Sequence, residues 1–126
     1  MTSLFLAAGL LGFLGVALGA FGAHGLRAKL DEQHMATFQT GVQYQMYHAL
    51  ALGMVALTSS AITRSILLQW AGWCFIAGIA FFSGSLYILS LTGQRRWGLV
   101  TPLGGLLFLA GWTLWILAAW RLLMLH

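Results

Sequence analysis

Charge is scarce in this chain. Six Lys and Arg and two acids make up 6% of its 126 residues, against roughly a quarter in a soluble globular domain. That shortage excludes a surface solvated by water, and lipid is the solvent the composition fits. The net charge of +4 is spread too thinly for a nucleic-acid-binding patch, so the basic residues are expected to face lipid headgroups instead. Cysteine is nearly absent too. Cys74 stands alone in an apolar run, which excludes a disulfide within the chain and leaves the redox compartment unread. Both acids, Asp31 and Glu32, fall in one short polar segment. No carboxylate therefore remains elsewhere to orient a catalytic histidine or complete a metal site.

What is present is long and apolar: 60% of the residues are hydrophobic, gathered in four runs separated by the charged residues. Crossing about 30 Å of hydrocarbon takes roughly 20 apolar residues as a helix. Spans are predicted from about Ser3 to Ala23, Thr40 to Ile62, Leu67 to Leu91 and Pro102 to Leu123. Backbone amides need partners in lipid, and the alternating strands of a barrel are missing, so the spans are predicted helical. The expected fold is all-α: one domain over residues 1–126, an integral membrane four-helix bundle with short connections. The first run has small residues at Ala20 and Ala23 but no Lys or Arg in Met1 to Leu4, so a retained helix is expected rather than a cleaved signal.

The segment from His24 to Gln39 interleaves Arg27, Lys29, Asp31, Glu32, Gln33 and His34 with Leu26, Leu30, Met35 and Phe38, and it is expected to lie along the membrane interface. Asp31 suits an N-cap, with Glu32 and Gln33 in a first turn that favours negative charge, so the second helix is expected to begin before the membrane. Thr101-Pro102 marks the start of the fourth, read as an N-cap followed by a proline needing no amide hydrogen. With four spans both termini share a side with Arg64 and Arg121, opposite Arg27, Lys29, Arg95 and Arg96. That balance places the termini on the non-cytoplasmic side.

Glycine is the most conspicuous signal. Gly9, Gly12, Gly15, Gly19 and Gly22 recur along the first helix, and Gly84, Gly104, Gly105 and Gly111 offer small surfaces elsewhere. Such spacing lets helix backbones approach closely. Gly12, Gly15, Gly19, Gly22, Gly84, Gly104 and Gly105 are accordingly expected at helix contacts. The run GAFGAHGL has glycines like a phosphate loop but lacks its Lys and its strand-to-helix context.

The candidate polar cluster comprises His24, Tyr44, Gln45, His48, Ser83, Ser85 and Tyr87. Ionisable groups within a span are costly and suggest function. Tyr44 and Gln45 precede His48 by four and three residues and share its face. Three uses are open: a metal or haem site with His24, a proton relay, or polar contacts that tie helices together; the last is preferred. Ser83 and Ser85 point in different directions on a helix, which opposes a serine nucleophile. Trp70, Trp73, Trp97 and Trp120 read as interfacial anchors, whereas Trp112 and Trp115 lie deeper as bulky packing or lipid-facing groups.

The stretches GAFGAHGL at Gly19 to Leu26, QTGVQYQMYHALAL at Gln39 to Leu52, FSGSLY at Phe82 to Tyr87, TPLGG at Thr101 to Gly105 and FLAGW at Phe108 to Trp112 resemble, in order and spacing, the small bacterial inner-membrane proteins of domain-of-unknown-function family 423, related to eukaryotic transmembrane protein 256. The resemblance implies a four-span bacterial inner-membrane protein and carries no reaction, substrate or cofactor. The expected function is non-enzymatic, through helix packing with itself, a membrane-protein partner or lipid, with no cofactor or metal. The alternatives are an oligomeric channel or transporter for a small solute or ion and, third, a haem- or metal-binding protein using His24 and His48.

Overall fold

In a computed structural model, residues 1–125 form an all-helical chain: α1 (Thr2–Leu26), α2 (Glu32–Ala61), α3 (Ile66–Thr92) and α4 (Thr101–Met124). A 3-10 turn, Arg95–Leu99, leads into α4. The connections are short, as expected. Two helices are locally widened to π geometry, at Ala17–Gly22 in α1 and Ile79–Ser83 in α3. Such turns shift the register of the faces on either side and are frequent at functional sites.

The helix ends have local causes. Asp31 is extended and its side chain accepts the His34 amide at 2.8 Å, so α2 starts at the expected cap. At 30 residues it is about 45 Å long, with its first turns in the polar segment. Gly93 ends α3 with φ 71°, a left-handed conformation that glycine adopts without a Cβ penalty. The start of α4 corrects the expectation. Thr101 is already helical and Val100 precedes it as the cap residue. The Thr101 hydroxyl lies 2.6 Å from Ser85 Oγ instead of capping.

Thr2–Leu26, Ile66–Thr92 and the stretch Arg95–Met124 are long and apolar enough to cross a membrane. Helix α2 is not among them, because Gln43, Tyr44, Gln45 and His48 interrupt its apolar run. Two of those groups, Gln45 and His48, turn inward, while Gln43 and Tyr44 stay exposed. Gln45, His48, Ser83, Ser85 and Ser90 are buried, while Phe13, Leu50, Leu106 and Ile116 are more than half exposed. The interior holds these polar groups beside an apolar core, and the many large apolar side chains on the outside set the surface apart from that of a water-soluble protein.

Helix α1 packs mainly on α2, α2 on α3, and α3 on α4. The largest apolar cluster joins Ala51 and Val55 of α2 to Leu68, Phe75 and Ile79 of α3 and Phe108 and Ala118 of α4. Glycines set the closest approaches, though not all those expected. A Cβ at Gly104 would strike the backbone of Phe82, one at Gly15 would meet the Met46 sulfur, and one at Gly19 would lie 2.9 Å from Val42. Gly22 sits at ordinary distance from Phe38. Gly12, Gly84 and Gly105 have nothing within 4 Å of a Cβ, so they do not mediate close contact. Three residues of helix turn a side chain about 60° around the axis, which carries Gly12 off the face that holds Gly15. Gly41, Gly72, Gly78 and Gly111 instead admit Tyr87, Leu4, Phe108 and Phe75.

Candidate functional site

Gly41, Gln45 and His48 lie along one face of α2, and Ser83, Tyr87 and Ser90 repeat the same i, i+4, i+7 spacing on α3. The two faces meet. Gly41 has no side chain, so the Tyr87 ring can lie against its backbone; a Cβ there would be 2.8 Å from Tyr87 Cε1. The same opening lets Ser83, at the end of the π turn, donate to the Gly41 carbonyl at 2.7 Å. Tyr87 stacks at a tilt against Phe38 with ring centroids 5.3 Å apart.

Gln45 bridges three helices. Its carbonyl oxygen accepts the Tyr87 hydroxyl at 2.6 Å and its amide donates to the Leu11 carbonyl of α1 at 2.8 Å. Gly15 stands one turn beyond Leu11, and its missing side chain leaves room for the amide, whose nitrogen would lie 3.5 Å from a Cβ at Gly15.

His48 makes a second link, to α4. The Trp112 indole donates to His48 Nε2 at 3.0 Å, and His48 Nδ1 lies 2.8 Å from the Tyr44 carbonyl. An indole nitrogen only donates, so Nε2 must present its lone pair, and the ring proton belongs on Nδ1, where it reaches Tyr44. Both nitrogens are thereby occupied. Phe108 covers the ring face in a parallel stack 3.6 Å away, and Phe75 lies 5.4 Å from its centroid. Ser85 makes the third link: it contacts Thr101 at 2.6 Å and donates to the Phe82 carbonyl at 2.8 Å, on a different side of α3 from Ser83.

Two expected members do not join. Tyr44 is partly exposed and contacts its surroundings through its ring, with the Phe82 centroid 4.6 Å away; its contribution to His48 is a backbone carbonyl rather than the phenol. His24 is exposed near the end of α1. Because Gly15 faces Met46 and Gly22 faces Phe38, the two helices are antiparallel and His24 lies beyond the level of Phe38. The ten residues from there to His48 correspond to roughly 15 Å along the axis. The imidazoles do not converge, and His48 has no free nitrogen for a metal.

Trp112 and Thr101 are the partners that residue patterns missed. Trp112 reads in sequence as packing bulk, and no local signal joins it to a histidine 64 residues away. Thr101 reads as a cap because a threonine before a proline so often is one.

Most of this hydrogen-bonded centre, from Gly41 to Thr101, lies within a stretch shared with known proteins, with Leu11 and Trp112 outside it. The family described as "Protein of unknown function (DUF423)" matches residues 18–105, and the chain belongs to that family. It is 49% identical over 108 residues to a UPF0382 membrane protein of Staphylococcus haemolyticus, covering 86% of this chain and 87% of that one. The UPF0382 membrane protein YwdK of Bacillus subtilis is 48% identical over 84% of this chain and 86% of its own. The UPF0382 inner membrane protein YgdD of Escherichia coli strain K12 is 46% identical over 97% of this chain and 94% of its own. No solved structure matches.

Proposed function

We propose that the chain is a four-span bundle of the bacterial inner membrane that acts without turnover, by presenting helix surfaces to lipid, to a partner or to a second copy, and that its polar centre is the fastening of that bundle. The observation that carries this reading is the saturation of the centre. Gln45, Tyr87, Ser83, Ser85 and His48 each bond to another helix, leaving neither the His48 imidazole nor the Gln45 amide turned toward an open path. In hydrocarbon such bonds replace partners that water would supply.

The outward face of α2 supports its membership as a span. Tyr47, Leu50, Met54 and Leu57, spaced three or four residues apart, are all more than half exposed. The stretch from Thr40 to Ala61 gives about 33 Å of helix, enough to cross. Four crossings put both termini on one side, and the four basic residues of the opposite end favour termini facing away from the cytoplasm.

One observation favours an oligomeric pore as second reading: Gln43 and Tyr44 are exposed beside Tyr47, so copies meeting on that face would gather polar groups. Reconstitution in vesicles distinguishes the two. Fastening predicts that His48→Ala lowers thermal stability in detergent with no solute or ion flux in either protein. Flux through the folded wild type would overturn it.

A further inference from the structure

At the end of the molecule where α2 finishes and α3 begins lies a cavity of about 700 Å³, lined by Met1, Thr2, Ser59, Thr63, Arg64 and Gln69 among others. Ser59 is 4% exposed, and its hydroxyl is the buried side-chain polar atom without a partner among the described residues. A buried group left without a partner is uncommon and asks for an explanation, such as an unseen ligand or ion. In the middle of the same helix every such group is bonded within the chain.

Other features of the cavity share one polarity. Ser65 precedes α3 in an extended conformation with no side-chain cap, so amides of the first turn are left to an outside acceptor at the positive end of the helix. Arg64 is exposed at the wall, and an adjoining cavity of about 300 Å³ brings Arg121 of α4 to the same end. The opposing carbonyl end of α2 is partly closed, because the Ile62 and Thr63 amides both donate to Thr58. Asp31 and Glu32 stand at the far end of α2, about 40 Å from Ser59 along the helix. Exposed Trp70 and Trp73 on the first turns of α3 and Trp120 near the end of α4 mark this level as that of lipid headgroups.

We propose that this cavity binds a phosphate group, with the Arg64 guanidinium and the first-turn amides of α3 as charge partners and the Ser59 hydroxyl as donor. A phospholipid headgroup and a free phosphate ion offer the same chemistry.

The test uses the full chain, delipidated in detergent and followed by native mass spectrometry. Phosphatidylglycerol and phosphatidylcholine with identical acyl chains are titrated separately, and inorganic phosphate is added as competitor. The expected result is preferential binding of phosphatidylglycerol, weakened about fivefold by Arg64→Gln and roughly threefold by Ser59→Ala. Arg96→Gln, at the opposite end, should leave it unchanged. Displacement by inorganic phosphate supports the site with the free ion as ligand; resistance to displacement supports it with the headgroup as ligand. Equal retention of both lipids without displacement overturns the proposal, and so does phosphatidylglycerol binding that Ser59→Ala leaves unchanged. The Ser59 variant removes one oxygen from a cavity wall and keeps the test decisive even where Arg64→Gln fails to fold.

Discussion

Helix α2 carries buried polar groups at two levels, and the levels are treated differently. Midway along it, Gln45 and His48 are tied to α1, α3 and α4. Three to four turns later, Ser59 is as buried as they are and has no partner among the described residues. On the proposed reading of α2 as a span, depth accounts for the difference. An unbonded polar group deep in hydrocarbon has no water to turn to, so the centre must be satisfied from within the chain. Near the headgroups, water, ions and lipid phosphates can supply the partner.

The most damaging way to break the centre is through its closest backbone approach. Gly104→Ala drives a methyl into the Phe82 backbone, which cannot rotate aside as a side chain can, and should lower stability by about 2–3 kcal/mol in detergent unfolding. At Gly15 the neighbour is the flexible Met46 side chain, so Gly15→Ala should cost less. A loss at Gly15 equal to that at Gly104 would mean that contact with α1 is tighter than described.

Removing the three-helix bridge comes next. Gln45→Leu strands the Tyr87 hydroxyl and frees α1, an expected loss of about 1–2 kcal/mol in the same assay. Trp112→Phe keeps the aromatic packing on His48 but removes its donor, and about 1 kcal/mol should go. Gly84→Ala should act in the opposite direction, because a methyl there meets open space and alanine favours the helix; a gain of under about 1 kcal/mol is expected. Destabilisation by Gly84→Ala would point to a contact at that face between copies of the chain.

The smallest expected effect lies in the polar segment that opens α2. The His34 amide and side chain hold the Asp31 carboxyl below its ordinary value of 3.8. A folded-state value below the unfolded one means the cap contributes fully above pH 3.8 and is lost as pH falls through the lower folded value. Amide exchange in the first turn of α2 should therefore quicken only at those low pH values, and Asp31→Ala should abolish the dependence.

Sequence was most informative where one physical requirement acts alone. The helical stretches follow from the length of apolar runs, and Asp31 from the rule that a short acidic side chain caps an amide. It was least informative where two requirements compete. The glycine stripe looks continuous at three- and four-residue spacing, yet rotation about the helix takes Gly12 off the face of Gly15, and only neighbours can say where that face ends. The π turns have no periodic signature. Gly41 was passed over because a single glycine in a helix reads as a cost until Tyr87 is seen to occupy its space. The partnership of His48 with Trp112 depends on how α2 and α4 come together and is written in neither helix alone.

The measurement that bears most directly on a fastened, non-reacting centre is the protonation of the His48 ring, read by nitrogen-15 NMR of imidazole-labelled protein in lipid. The expected spectrum shows a proton on Nδ1 and an unprotonated, hydrogen-bonded Nε2 whose resonance moves in Trp112→Phe. A proton on Nε2, or an imidazolium, would place His48 outside the bond to Trp112 and contradict the fastening.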